Sequence, residues 1–242
     1  MKLIKFLLKS KQKLKIPFAH FEVLQGIVYK LLSRNPQLGT EIHDKRFIET
    51  KPFKYFCFTD LTGRYHIENK MLVYDSFFQW EIRSADDRII DAIALSVKNN
   101  PLIEINRQKC DVIFYEVCEK HFLQSVIDIK MNTPIVVHKT NKTGFVFYRN
   151  PFEQEFYDGI IKNFKNKFEA FYEKACTPEV KVICKMPLDS SKCVTRYKGT
   201  IITAWYGEYQ ISTEPDVLDF IYHTGIGSKN SMGFGTISEY EK

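Results

Sequence analysis

The strongest constraint on the fold is an order of strand and helix segments that occurs twice. KLIKFLLKS (2–10) reads as a strand, and PFAHFEVLQGIVYKLLSR (17–34) follows as a helix. FKYFCFTDL (53–61), HIENKMLVY (66–74) and FFQWEIRS (77–84) are strands, rich in aromatic and β-branched residues. SADDRIIDAIALSVKNN (84–100) is a helix, with Ser84 as its N-cap and Asp87 at the capping-box spacing. QKCDVIFYEVCEK (108–120) closes this first run as a strand. SVIDIKM (125–131) and GFVFYR (144–149) open the second run as strands. The long helix 150–174 comes next, with Asn150 as cap, Pro151 in the first turn and Glu153 near the positive dipole end. EVKVICKM (179–186) and the stretch 196–212 give more strands, TEPDVLDFIYHT (213–224) a short helix, and FGTISEY (234–240) the last strand. Each run has the order β-α-β-β-α-β with extra strand material, which is that of a ferredoxin-like unit. The expected class is therefore α+β: two tandem ferredoxin-like (RRM-like) domains, 1–120 and 121–242. No Pro/Gly-rich linker separates them, so they are expected to pack closely.

The 242 residues suffice for two real cores, and 44% hydrophobic with 14% aromatic residues excludes a disordered chain. No apolar run reaches bilayer-spanning length. Lys5 and Lys9 interrupt the apolar start, and no small-residue cleavage site follows, so MKLIKFLLKS reads as a strand rather than a signal peptide. A cytoplasmic protein is the expectation. The six cysteines are scattered with no C-x-x-C pair, so they read as reduced structural thiols. Charge is uneven: residues 1–54 hold twelve Lys and Arg against four Asp and Glu. A basic first quarter suits a polyanionic partner, nucleic acid being the simplest, or a solvated lysine-rich face.

GIGSKNSMGFG, Gly225 to Gly235, holds four of the eleven glycines. It fails the dinucleotide fingerprint in spacing, and the order is reversed, with a helix before and a strand after. Gly-Ser-Lys at 227–229 lacks the Gly-Lys-Ser/Thr ending of a P-loop. One glycine would explain a helix end. Four remove Cβ atoms along a whole segment, which lets another backbone approach and leaves amides to face anions. Lys229 adds charge, and Asn230 and Ser231 add hydrogen-bonding groups. The chemistry fits an RNA backbone better than a compact nucleotide.

A G-x-G-x5-G-x-G between the last helix and last strand of a tandem ferredoxin-like chain resembles the signature of CRISPR-associated repeat endoribonucleases (the repeat-associated RAMP superfamily). The likeness also covers the basic start, KIPFAHFEVLQGIVYKLL, the HDK segment, KPFKYFCFTDL and the late TAW. The resemblance implies metal-independent cleavage of precursor CRISPR RNA within repeats, with no cofactor. The ribose 2′-OH attacks the adjacent phosphate and leaves 2′,3′-cyclic phosphate and 5′-OH ends. It implies His43, Tyr29 and Lys54 as the catalytic set. The implied partners are precursor and mature CRISPR RNA, with other interference-complex subunits as further candidates. A non-catalytic RNA-binding subunit of a CRISPR ribonucleoprotein on the same fold is the alternative, and a general single-strand binder a third reading.

The residue chemistry suits those roles. His43, in the polar connector GTEIHDKRF, can be a neutral base at cellular pH, or an ordinary surface histidine. Glu22, Gln25, Gly26, Tyr29 and Ser33 share one helical stripe, which displays Tyr29 one turn beyond a glycine, or leaves it half-buried with its hydroxyl in water. A phenol with a pKa near 10 stays protonated and can donate to the leaving oxygen. Period two puts Lys54 on the side of Phe56 and Phe58 at the strand end, where it can reach a phosphate. Lys51 is its rival, and Lys45 and Arg46 are further phosphate contacts. His20, near the helix start, either orients RNA or assists catalysis, or serves in packing or capping. The expected RNA surface comprises Gly225, Gly227, Ser228, Lys229, Asn230, Ser231, Gly233 and Gly235, with Lys45, Arg46, Lys51 and His20. His66, His121, His138 and His223 have no acidic or cysteine partner at ligand spacing, so no metal site is expected.

Overall fold

Residues 1–34, 53–185 and 191–240 are described by the computed structural model. The first half contains β1 (Lys2–Ser10), β2 (Leu14–Pro17), α1 (Phe21–Ser33), β3 (Phe56–Phe58), β4 (Thr62–Glu68) and β5 (Met71–Ser84). It continues with α2 (Asp87–Asn99), β6 (Leu102–Ile105) and β7 (Gln108–Cys118). The second half has β8 (Val126–Met131), β9 (His138–Thr140), β10 (Val146–Tyr148), α3 (Gln154–Tyr172) and β11 (Lys181–Cys184). Then come β12 (Lys192–Tyr197), β13 (Thr200–Trp205), β14 (Glu208–Ser212), α4 (Pro215–Thr224) and β15 (Ile237–Glu239).

In the first sheet the principal strands lie in the order β7-β1-β5-β3, all antiparallel, with β2 and β4 also on β5 and β6 outside β7. The second sheet runs β11-β14-β8-β15, again antiparallel. Numbered within each half, both sheets place the last strand beside the first, the first beside the third, and the second at the far edge. This is the ferredoxin-like arrangement, present twice, as the segment order predicts. Two insertions modify the second unit: the hairpin β9–β10 before α3 and the hairpin β12–β13 before β14. Among the described residues no helix is long and apolar enough to cross a membrane.

Several boundaries differ from the sequence expectation. Ser84 ends β5, and the N-cap of α2 is Asp86, whose carboxylate accepts from Arg88 N at 3.2 Å. Such a cap is worth about 1 kcal/mol. Asn150 caps a preceding turn through Phe152 N at 3.0 Å, and α3 itself starts after Glu153. The stretch 66–74 is a hairpin rather than one strand: Asn69 and Lys70 take φ of 49° and 61°, the left-handed pair that a tight hairpin turn requires.

Alternation along β1 sends Ile4, Phe6 and Leu8 into a core shared with α1 and α2, while Leu3 joins the core of the second half. β3 divides its side chains in the same way. Phe56 and Phe58 enter the first core, while Cys57 Sγ lies 3.6 Å from His223 O of α4 and Tyr55, just before the strand, joins the second core. Arg83 joins the two sheets. It is 2% exposed, its guanidinium carbon stands 3.7 Å from the Tyr222 ring centroid, and Nη1 donates to Ile237 O at 2.6 Å. Its Nε donates to Glu81, which pairs the buried charge, as a desolvated guanidinium requires. All six cysteines are free thiols.

Candidate active site

The site forms where α1 crosses the start of β3. Lys54 lies two residues before β3, in a turn where Phe56 N donates to Lys54 O at 2.8 Å. That turn, rather than the expected period-two alternation, sets its position, and its side chain reaches Tyr29 of α1. Its Nζ donates to Tyr29 Oη at 2.5 Å and stands 4.9 Å from that ring's centroid. Tyr29 also packs edge-on against Phe56 at 6.0 Å. Of the two sequence expectations for Tyr29, the structure bears out the half-buried one, at the margin of the first core. Burial pushes its pKa up to about 12, so the phenol keeps its proton at cellular pH. Partial desolvation lowers the Lys54 pKa. A cation held against a protonated phenol pairs a charge stabiliser with a proton donor, the two groups that an expelled oxyanion needs.

Two other residues of the polar stripe on α1, Glu22 and Gln25, meet the second half of the chain. Glu22 Oε2 accepts from Lys198 N in the turn of the β12–β13 hairpin at 2.8 Å. Gln25, only 6% exposed, donates to Ser231 O at 2.7 Å and accepts from the Tyr197 hydroxyl. His20 is 3% exposed. Its Nδ1 faces Pro17 O and Phe18 O, both at 3.0 Å, and its Nε2 lies 2.6 Å from Asp60 Oδ1. This geometry supports the packing alternative for His20.

Both His20 nitrogens face acceptors only, so the folded protein favours imidazolium. Burial opposes the charge, but the Asp60 hydrogen bond and carboxylate outweigh it and raise the pKa above 6.5. A raised folded-state pKa adds stability that is complete below about pH 6.5 and lost as pH climbs through the folded value. The melting-temperature advantage of wild type over His20→Gln is therefore expected to shrink between pH 6 and pH 9. An advantage that is constant over this range would mean that the ring is neutral.

The glycine stretch closes on itself. Gly225, Gly227, Gly233 and Gly235 are buried and all have positive φ, between 71° and 97°. A Cβ on Gly235 would stand 2.0 Å from Ile226 O, and one on Gly233 2.7 Å from the Phe58 ring. The amides of Gly225, Gly233 and Gly235 donate to Ile221 O, Asn230 O and Pro134 O. The glycines thus let segments of the same chain approach closely, and these three amides are spent internally rather than free for anions. Asn230 is also inward, with Nδ2 donating to Ile226 O and Phe234 O, both at 3.0 Å. The partly exposed residues are Ser228, Lys229, Ser231 and Met232.

The organiser of this loop escaped sequence reasoning. Lys167 of α3 is 2% exposed, and its Nζ donates to Thr224 O, Gly225 O and Asn230 Oδ1 at 3.2, 2.6 and 3.1 Å. Burial brings its pKa down to about 7. The signal was present in the sequence: Lys167 shares the i, i+3/i+4 register of Phe156, Ile160, Phe164 and Phe168, the apolar face of the helix. His121 meets two carboxylates that sequence spacing did not single out, Asp219 through Nδ1 at 2.8 Å and Glu119 through Nε2 at 3.3 Å. His43, Lys45, Arg46 and Lys51 lie outside the described residues.

Residues 117–239 match the family model for the C-terminal region of CRISPR associated protein Cas6. The chain belongs to the Cas6 family. It is 25% identical over 238 residues to CRISPR-associated endoribonuclease Cas6 1 of Methanocaldococcus jannaschii, covering 93% of this chain and 88% of that protein. It is 26% identical to CRISPR-associated endoribonuclease Cas6 of Pyrococcus furiosus, covering 92% of this chain and 83% of that protein. A solved CRISPR associated protein Cas6 superposes with a TM-score of 0.82 at 22% identity, over 99% of both chains, and shares the fold.

Proposed function

We propose that this Cas6-family chain is an endoribonuclease that cuts precursor CRISPR RNA within its repeats. The observation that carries the reading is the Lys54–Tyr29 contact at the α1–β3 crossing. His43 takes the 2′-OH proton, the 2′ oxygen attacks the adjacent phosphorus, and the P–O5′ bond breaks. The 5′ oxygen receives its proton from Tyr29, which recovers one from solvent, and Lys54 balances the charge that develops on the phosphate. The products are a 2′,3′-cyclic phosphate and a 5′-OH, and no metal takes part. Ser228, Lys229 and Ser231 offer the glycine loop's side chains to the RNA backbone, and Lys45, Arg46 and Lys51 add phosphate contacts. The chain divides near residue 121 into a catalytic unit and an RNA-holding unit, a division supported by the separate sheets. The protein works in the cytoplasm, where its transcript substrate is made, and hands mature RNA to other CRISPR subunits.

Incubation of a repeat RNA in excess EDTA, followed by end analysis, tests this chemistry. Cleavage with 2′,3′-cyclic phosphate ends is expected. A requirement for divalent metal, or 3′-OH ends, would overturn the mechanism. Tight binding with no cleavage of any repeat would favour the non-catalytic subunit.

A further inference from the structure

Gly26 lies in the interior of α1, where glycine is less favourable than alanine because it leaves more backbone freedom to be lost on folding. The other described glycines each have a local reason. Gly144, Gly199, Gly207, Gly225, Gly227, Gly233 and Gly235 take positive φ, while a Cβ on Gly63 or Gly159 would press on Phe78 or Val137. Gly26 alone among them has a helical backbone and, among the described residues, nothing within 4 Å of where a Cβ would stand. Among the described residues, neither helix propensity nor packing against α1 accounts for a bare helix at this point.

Its position suggests what does. Gly26 is on the same stripe as Tyr29 and one turn from it, about 4.5 Å along the helix axis. On its other side, Glu22 is tied to the Lys198 amide and Gln25 to Ser231 of the glycine loop. The exposed spot therefore lies between the elements of the second half that reach α1 and the Lys54–Tyr29 pair. Lys30 follows it by four residues and is also exposed. Glu22, the one acid on this stripe, has an oxygen engaged by a backbone amide.

We propose that Gly26 is a substrate contact: the ribose–phosphate backbone beside the scissile phosphate rests on α1 at this residue, in the space that a side chain would fill. The missing Cβ lets the nucleotide sit low enough for its phosphate to meet Lys54 and Tyr29. A side chain here would lift the backbone off the helix and move the reacting atoms out of line, and a displacement of about 1 Å can lower a rate by on the order of 100-fold. This inference rests on the endoribonuclease reading, and binding measurements separate the two.

The test uses Gly26→Ala and Gly26→Leu in the full chain, with repeat RNA and with the same RNA carrying a 2′-deoxy nucleotide at the cleavage position. Gly26→Ala is expected to raise Tm by about 2–4 °C, from helix propensity. It should also lower kcat/KM about tenfold. Gly26→Leu should hold its Tm while losing on the order of 100-fold in kcat/KM and weakening affinity for the 2′-deoxy RNA. Gly26→Leu binding and cutting like wild type would overturn the proposal, as would lost function accompanied by an equal loss of Tm. Wild type that binds the RNA but cuts nothing would overturn the catalytic reading and leave the affinity of Gly26→Leu to decide the contact. Wild type that binds no repeat RNA would overturn both.

Discussion

Single-turnover cleavage of a repeat RNA is expected to slow by on the order of 10²- to 10³-fold in Lys54→Ala, the cost of removing one preorganised charge donor. His43→Ala and Tyr29→Phe are expected to lose on the order of 10²- to 10⁴-fold, the range for a general base or acid. RNA affinity should change little in all three, because these groups act on the reacting atoms rather than along the bound strand. Lys54 and Tyr29 are in direct contact at 2.5 Å, so their losses are not independent. The double variant Lys54→Ala, Tyr29→Phe should fall well short of the product of the two single effects. Fully multiplicative losses would mean that the two side chains act separately. Wild-type rates in Lys54→Ala would move the stabilising role to Lys51.

Gly235→Ala is expected to destabilise the fold by about 3 kcal/mol or more, read from urea unfolding. Two costs combine. The φ of 78° disfavours any Cβ by about 1–2 kcal/mol, and that Cβ would lie 2.0 Å from Ile226 O, which is rigid backbone. The two ends of the loop are locked together at this point, because Ile226 N donates to Gly235 O at 2.8 Å. Gly144→Ala provides the comparison. It has a similar φ of 83° with open space around it, so only the conformational cost of about 1–2 kcal/mol applies. Equal losses in the two variants would show that close packing contributes nothing at Gly235. Since Lys167 and Asn230 bond to the same loop, Gly235→Ala should also weaken RNA binding through Ser228 and Lys229.

What could be read from the sequence follows from the range of the interactions involved. Strand alternation and helix periodicity are set by neighbours a few residues apart. They located both β-α-β-β-α-β runs and put Phe56 and Phe58 together in one core, but not the turn at Tyr55 that positions Lys54. Cap positions failed at Ser84 and Asn150, because Asp86 and Glu153 sit closer to the first helical turns and the chain bends sharply just before them. The glycine stretch was located correctly between α4 and β15, but its burial was not legible. The groups that fill the space around it, Ile135, Val136, Phe21, Phe58 and Lys167, come from four distant segments.

The sequence by itself determined the two tandem units and the polar stripe on α1, because the elements that build them repeat every 3.6 or 2 residues. Only the tertiary structure decided that this stripe is where the second half docks. The Gln25–Ser231 bond spans 206 residues and the Lys54–Tyr29 bond 25 residues. Such contacts depend on how two sheets are set against each other, through Arg83 and the divided faces of β3. No local pattern encodes that setting. It arises from the packing of side chains that meet only once the chain has folded.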